Sequence, residues 1–139
     1  MNRKHVEKIG DLKNPEGNVK EQIEGVYRSI CSRFEKLDLE SVLGYFSDRD
    51  DLIKISNGIV LRGKKQLSEY WHKRLNHVKG FSIAIENTEV HIIDKYNVWT
   101  TADEKISMNG QSQKAVVSNI FTLTPDGWKI LLDHTTYLS

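Results

Sequence analysis

The sequence predicts one α+β domain, in which three helices come first and a highly curved antiparallel sheet follows and encloses a pocket. Apart from one early hairpin, apolar residues recur at helical spacing as far as about residue 78 and at every second position from residue 81. Asn-Gly and Pro-Asp-Gly sequences, which favour tight turns, separate the later apolar runs. A long sheet must twist and bend to cover a helix, and it leaves an open end that suits a small-molecule site.

Apolar stripes with capping residues indicate the three helices. The first helix begins near Asn18, which forms a capping box with Glu21, and its stripe consists of Val19, Ile23, Val26, Tyr27, Ile30, Phe34 and Leu37. Asp38 caps a shorter second helix, whose stripe consists of Leu39, Val42, Leu43 and Phe46. The third helix follows Gly63, and its stripe consists of Leu67, Tyr70, Trp71, Leu75 and Val78.

Strands are predicted between and after these helices. Residues 52–56 and 59–61 form a hairpin around Asn57-Gly58. Further strands are expected at residues 81–85, 88–94, 97–108, 112–124 and 128–137. Residues 1–17 are predicted to form a flexible tail, with one short helical turn at Val6, Ile9 and Leu12 left open. Residues 18–139 then form the single domain.

Composition argues against several classes of function. The chain has 139 residues and a net charge of +1, and its Lys and Arg residues are scattered, which argues against nucleic-acid binding. No apolar run approaches the roughly 18 residues that span a bilayer, and residues 1–10 lack a secretory signal, so we expect a cytoplasmic protein without membrane contact. Cys31 is the only cysteine, which excludes an internal disulfide. Because no phosphate loop, nucleophile elbow or zinc motif is present, no cofactor or metal is expected.

Four short stretches carry a resemblance to a known family. They are residues 36–40 (Lys-Leu-Asp-Leu-Glu), 45–48 (Tyr-Phe-Ser-Asp), 61–67 (Leu-Arg-Gly-Lys-Lys-Gln-Leu) and 126–130 (Asp-Gly-Trp-Lys-Ile), the last leading into Asp133-His134. In order and spacing they resemble the nuclear transport factor two-like superfamily, in its SnoaL-like or ketosteroid-isomerase-like branch, over roughly residues 18–138. The resemblance implies a cone-shaped fold with helices inside a curved sheet, and dimers formed through the sheet's outer face. Isomerases, cyclases, dehydratases and transport adaptors all occur in the family, so the fold alone does not decide the function.

Strand alternation selects three polar residues as candidates for catalysis: Glu104, Asn119 and His134. Glu104 shares the more apolar face of its strand with Ala102 and Ile106, so it is predicted to face the helices. A lone inward carboxylate needs a partner or a ligand. The alternative is a β-bulge that turns Glu104 outward, or a position at the wet rim.

Asn119 and His134 occupy alternating positions within apolar faces of two neighbouring antiparallel strands. This pattern places both on the concave side, within about one residue pair of each other, whereas Asp133 points to the opposite face. His134 there serves either as a general acid or base near neutral pH or as a hydrogen-bonded wall residue. The resemblance implies an oxyanion-stabilising acid at the position of Asn119, whose amide either donates a hydrogen bond in that role or is satisfied by neighbouring side chains.

The residues predicted to line the pocket are Tyr27, Ile30, Phe46, Trp71, Ala102, Val117, Phe121 and Leu132. The resemblance implies a proton-donating tyrosine on the first helix at the position of Ile30, with Tyr27 one turn earlier. It also implies a catalytic aspartate just before the first strand turn, where this chain has Lys54-Ile55-Ser56. Because no carboxylate stands there, steroid isomerisation by that mechanism is not expected.

Three hypotheses for the function follow. The first is a small-molecule-binding domain whose apolar pocket carries a few polar groups, with its physiological role open. The second is a proton-transfer enzyme of the isomerase, cyclase or hydratase type, acting on a small apolar carbonyl substrate with Glu104 or His134 as the proton carrier. The third is a protein-interaction adaptor. A homodimer is expected through the outer sheet face, where Val116 and Ile120 alternate with polar residues.

Overall fold

The structure, a computed structural model, describes residues 15–138, with side chains from Asn18 onward. The helices are α1 (Pro15–Glu35), α2 (Leu39–Leu43) and α3 (Gly63–Leu75). The strands are β1 (Ile53–Ser56), β2 (Ile59–Arg62), β3 (Phe81–Ile92), β4 (Asn97–Met108), β5 (Gln111–Thr124) and β6 (Gly127–Tyr137). The α+β class and the order of helices and strands are therefore confirmed.

The helices follow the predicted stripes closely, except at the beginning of α1. This helix begins at Pro15 rather than near Asn18, since proline is well suited to the first turn of a helix. The short turn predicted at Val6, Ile9 and Leu12 lies outside the described residues. Asp38 caps α2 as predicted, because its side chain accepts a hydrogen bond from the Ser41 backbone N–H at 3.3 Å. Within residues 15–138, none of the helices has the length and apolar character that crossing a bilayer requires.

The six strands form one sheet in the order β2-β1-β6-β5-β4-β3. All neighbours are antiparallel except β1 and β6, which run parallel, so the predicted antiparallel sheet contains one parallel pair. Parallel neighbours need a long crossover, and here α3 and strands β3 to β5 supply it. The predicted hairpin at Asn57-Gly58 is present, and both residues have positive φ angles (46° and 86°), as a type I′ turn requires.

Two β-bulges change the predicted alternation of the strands. The first lies in β3, where the pairing with β4 shifts between Glu86 and Glu89, so that the two strands predicted at 81–85 and 88–94 form one bent strand. The second lies in β6, because Ile120 pairs with Leu132 while Phe121 pairs with Ile130, which leaves Leu131 as an extra residue. Beyond Leu131 the inward and outward positions of β6 are therefore exchanged.

This second bulge overturns three predictions. His134, expected on the concave side, is exposed on the outer face of the sheet, where it pairs with Ser118. Asp133, expected to point outward, is instead buried on the concave side. Leu132, expected to line the pocket, lies on the same outer side of the bulge as its partner Ile120. No residue type in this strand marks the position of the bulge. Simple alternation therefore predicted the wrong faces for the residues beyond Leu131.

The core lies between α1, α3 and the concave face of the sheet. The apolar stripe of α1 is buried along its length, from Val19 to Phe34. Phe34 packs against Trp71 of α3 and Phe81 of β3, with ring centroids 4.8 and 5.4 Å apart. These aromatic contacts hold α3 across one end of the curled sheet, and that end bounds the cavity described below.

We expect the β5–β6 turn to depend on Gly127. This residue follows Pro125-Asp126 with a φ of 103°, a conformation that only glycine adopts without strain. A Gly127→Ala substitution meets no atom within 4 Å, so its effect is that of the backbone alone. The expected loss is about 1 kcal/mol in the free energy of unfolding, measured by urea denaturation.

Gly80→Ala is the matched control, because an added methyl group there also meets nothing within 4 Å and its φ is not positive. Equal stability of the two variants would contradict the assigned turn.

Candidate functional site

A small cavity lies between α1, α3 and the concave face of the sheet. Its open space is about 40 Å³, enough for a few water molecules, whereas pockets for drug-sized ligands measure about 300–1,000 Å³. Of the residues predicted to line it, five do so: Tyr27, Ile30, Phe46, Trp71 and Val117. Ala102 and Phe121 are buried in the surrounding wall and, with the outward-facing Leu132, are not among the lining residues. The cavity walls are largely apolar, with Phe34, Phe81, Ile83, Ile85, Ile106 and Ile130 completing them.

A row of buried polar side chains crosses the sheet beside this cavity. Thr100 of β4 pairs with Asn119 of β5, which pairs with Asp133 of β6, which pairs with Lys54 of β1. All four side chains point to the concave side and are less than 9% exposed. Such a row is unusual in a core, because each polar group must find a partner when it leaves water.

One end of the row forms a closed hydrogen-bond network with α1. The Tyr27 hydroxyl donates to Asn119 Oδ1 at 2.5 Å, so the Thr100 hydroxyl is the donor in its 2.8 Å contact with the Tyr27 oxygen. Asn119 Nδ2 donates to the Leu132 carbonyl at 3.2 Å. The reverse orientation of the amide would place its oxygen against the Leu132 carbonyl oxygen, so Oδ1 faces Tyr27.

The network decides between the two alternatives for Asn119. Both ends of its amide are bonded to protein groups, which matches the satisfied asparagine rather than a free oxyanion donor. Burial raises the pKa of the Tyr27 hydroxyl far above its ordinary value, so it stays neutral and keeps its hydrogen bonds. We interpret Tyr27, Thr100 and Asn119 as the anchor that fixes α1 to the sheet.

The other end of the row is a buried ion pair. Lys54 Nζ lies 3.3 Å from Asp133 Oδ2, and the Thr135 hydroxyl donates to Asp133 Oδ1 at 2.8 Å. Lys54 also lies over the ring of Trp71, 5.4 Å from its centroid. This pair was not predicted from the sequence. Lys54 was considered only because it stands where the resemblance implies a catalytic aspartate, and Asp133 was predicted to lie on the opposite face. Along β1 the apolar Ile53 and Ile55 alternate with Lys54 and Ser56, so simple alternation favours an inward face of isoleucines, whereas Lys54 and Ser56 are the buried residues.

Glu104 faces the cavity, as its strand alternation predicts, and is 8% exposed. Burial, and then the nearby Asp133 carboxylate, raise the pKa of Glu104 to about 7, and the charge of Lys54 offsets only part of this shift. The ion pairs of the described side chains do not include Glu104, since Lys54 binds Asp133 instead. Glu104 is therefore a buried carboxyl group poised to gain or lose a proton near neutral pH.

Two further donors on α3 line the cavity. Among the described side chains, Trp71 Nε1 and Arg74 Nε are buried nitrogen atoms without a hydrogen-bond acceptor. An unsatisfied buried donor costs about 1–3 kcal/mol. Trp71 was predicted to line the pocket. Arg74 was not predicted to have a role, because its position in the helical pattern gives no indication of one.

The remaining sequence candidates lie apart from this site. His134 is exposed on the opposite side of the sheet and does not meet Glu104 or Asn119. Burial raises the pKa of the Cys31 thiol to about 12, so it stays protonated at neutral pH and is a poor nucleophile. No group of three or more potential metal ligands occurs within residues 15–138.

Comparisons with solved structures identify similar folds. A candidate dehydratase of the nuclear transport factor two-like family from Streptomyces avermitilis has a TM-score of 0.77 at 20% identity, over 86% of this chain and 95% of its own. A protein of unknown function from Shewanella oneidensis scores 0.74 at 16% identity, over 84% of this chain and 98% of its own. A ketosteroid isomerase-like protein from Erwinia carotovora atroseptica scores 0.68 at 16% identity, over 85% and 95%. At such identities the likeness concerns the fold.

The sequence itself matches a family model. The model of the SnoaL-like domain covers residues 23–137, from the third turn of α1 to the end of β6. No curated protein shows significant similarity to the chain. The family match spans most of the described residues and agrees with the cone of helices inside a curled sheet. The chain therefore belongs to the SnoaL-like family.

Proposed function

We propose that this chain binds a small molecule inside the cone, with the apolar part of the molecule against the helices and a polar group near Glu104. The observation that carries this proposal is a cavity with largely apolar walls that contains one unpaired, buried carboxyl group. An apolar site with a few convergent polar groups and a perturbed pKa is the common pattern of ligand sites.

The size of the cavity limits the ligand. About 40 Å³ of open space accommodates a group of only a few atoms while the side chains keep their positions. A larger ligand enters only if a side chain at the boundary moves. Arg74 lies at this boundary, because it lines both the cavity and the adjoining surface groove. We therefore favour small ligands over ligands of steroid size.

The second candidate function is proton transfer by Glu104, and its pKa near 7 is the specific observation in favour. A carboxyl group with this pKa removes a proton from a carbon next to a carbonyl group and returns it to another position, as an isomerase requires. The candidate dehydratase from Streptomyces avermitilis shares the fold, and elimination of water also needs such a group. In this proposal Glu104 carries the proton, Asn119 shapes the wall, and His134 has no part.

The sheet's outer face supports the proposal of a homodimer. Trp99 and Val116 are 41% and 39% exposed there, and His91 stacks on Trp99 with ring centroids 4.1 Å apart. Ile120 lies on the same strand as Val116 and pairs with Trp99 of β4. A continuous, partly apolar sheet face is suited to a two-fold interface.

The pH dependence of stability tests the environment of Glu104. Its pKa of about 7 lies above the ordinary value of 4.5, so between these values the folded state holds a proton that the unfolded state releases. The free energy of unfolding should therefore fall as pH rises from 4.5 to about 7, by roughly 3 kcal/mol in total, and then level off. Urea denaturation of the wild type and Glu104→Gln across this range measures the difference between their slopes.

Glu89→Gln is the matched control for this experiment, since Glu89 is an exposed carboxylate on β3. It should reproduce the wild-type slope, whereas Glu104→Gln should remove most of it. A Glu104→Gln variant whose stability changes with pH as the wild type's does would show that Glu104 has an ordinary pKa.

Ligand binding is tested by thermal shift and by amide chemical shifts with short-chain ketones, amides and carboxylates. A ligand at a hundred times its dissociation constant stabilises the fold by about 2.7 kcal/mol. Ile83→Phe should abolish this stabilisation, because Ile83 lines the cavity and the larger ring fills it. Ile92→Phe should keep it, because Ile92 is a partly buried residue of the same strand that does not line the cavity. The same loss in both variants would place the bound ligand elsewhere.

The dimer is tested by sedimentation velocity. Trp99→Lys should dissociate it, because a charge is introduced at the centre of the proposed contact. Tyr96→Lys is the control, since Tyr96 is 40% exposed on the turn between β3 and β4, away from the centre of the face. A wild-type chain that sediments as a monomer at high micromolar concentration would rule the dimer out.

A further inference from the structure

One face of α3 carries two buried N–H groups that lack an acceptor. Trp71 and Arg74 lie one turn apart on this helix and both line the cavity. Among the side chains that the structure describes, Trp71 Nε1 and Arg74 Nε are the two buried polar atoms without a hydrogen-bond partner. Buried donors are almost always paired, so two adjacent exceptions in one cavity indicate an acceptor that the protein does not itself supply.

Arg74 stands where the cavity meets the surface. It lines the inner cavity and also a wide groove formed by the β4–β5 turn and Leu138. Its guanidinium carbon lies 5.3 Å from the centroid of the Tyr137 ring, and Nη1 donates to the Tyr70 hydroxyl at 3.3 Å. Both neighbours are uncharged, since burial raises the pKa of Tyr137 above its ordinary value. The side chain is therefore held in place without being neutralised.

The charged side chains that line the cavity differ in whether a partner neutralises them. Lys54 is neutralised by Asp133, and the ion pairs formed by the described side chains do not include Arg74. Glu104, the other lining carboxyl group, has a pKa of about 7, so it is largely protonated below that pH and about half protonated at it. Below that pH no carboxylate of the cavity neutralises the positive charge of Arg74, and its planar fork of N–H groups matches the two oxygens of a carboxylate.

We propose that the ligand of this cavity is a small carboxylate, whose anionic group binds Arg74 where the cavity meets the surface groove and whose apolar part points inward. Trp71 Nε1 supplies a second donor from the same face of α3. The apolar part contacts side chains such as Ile30, Phe34 and Ile83. This inference rests on the proposed ligand-binding function and names the chemical class of its ligand.

The experiment compares each carboxylate with the amide of the same shape. Butanoate and butanamide, and benzoate and benzamide, are titrated against the full chain by calorimetry and by amide chemical shifts. Each carboxylate should bind at least about tenfold more tightly than its amide, because Arg74 forms an ion pair with two oxygens of the carboxylate but bonds only one neutral oxygen of the amide. Arg74→Met, which keeps much of the apolar stem, should remove this preference by weakening carboxylate binding much more than amide binding. Lys73→Met is the matched control, since Lys73 is exposed on the same helix, and it should keep the preference.

Three outcomes overturn the inference in distinguishable ways. Equal affinity for carboxylates and amides, with binding intact, would show that water satisfies the two donors, while the ligand-binding proposal stands. An unchanged carboxylate preference in folded Arg74→Met would assign the anion to another group. If none of the four probes binds, both this inference and the proposed function are wrong. Arg74→Lys, which retains the charge but not the planar fork, should weaken butanoate binding only partly and serves where Arg74→Met does not fold.

Discussion

The extra residue at Leu131 determines which side chains of β6 enter the core. Because the bulge exchanges the two faces beyond it, Asp133 lies inside, beside Lys54, and His134 lies outside. Without Asp133, the amino group of Lys54 would be a buried charge without a partner, a situation that costs roughly 3–5 kcal/mol. The bulge and the ion pair therefore depend on each other. The parallel pairing of β1 with β6 completes the arrangement, since it sets Lys54 directly opposite Asp133.

The polar groups of the interior fall into two sets with different consequences. Tyr27, Thr100 and Asn119 satisfy one another and the Leu132 carbonyl, so they join α1 to three strands and leave nothing for a ligand. Glu104 is buried without an ion-pair partner among the described side chains, and two N–H groups on α3 are buried without an acceptor; this burial lowers the stability of the fold. A protein retains such groups where their reactivity or binding is used. The closed set explains the structure of the cone, and the open set indicates where its function lies.

The sequence predicted the fold well because its information is local. Helical stripes and the Asn57-Gly58 turn depend on neighbouring residues, and so does the strand alternation in β4, which placed Glu104 correctly. Faces beyond Leu131 were wrong because a bulge is set by how a long sheet curls, which no short pattern records. The partner of Lys54 was missed for the same reason, since β1 and β6 meet only in the folded chain. Arg74 was missed because an arginine on a helix is ordinarily exposed to solvent. Only the structure shows that its Nε atom is buried without a hydrogen-bond acceptor among the described residues.

The two proposals for the cavity bear on each other through charge. An anion bound by Arg74 would lie in the same low-dielectric space as Glu104, and two negative charges in that space repel strongly. Ligand binding would therefore favour protonated Glu104, in addition to the burial and the Asp133 carboxylate that already raise its pKa. A bound carboxylate would then meet Glu104 as a proton donor rather than a base. Chemistry in this cavity, where it occurs, would begin with protonation of the ligand, and the direction of proton flow would be set by the charge of the ligand itself.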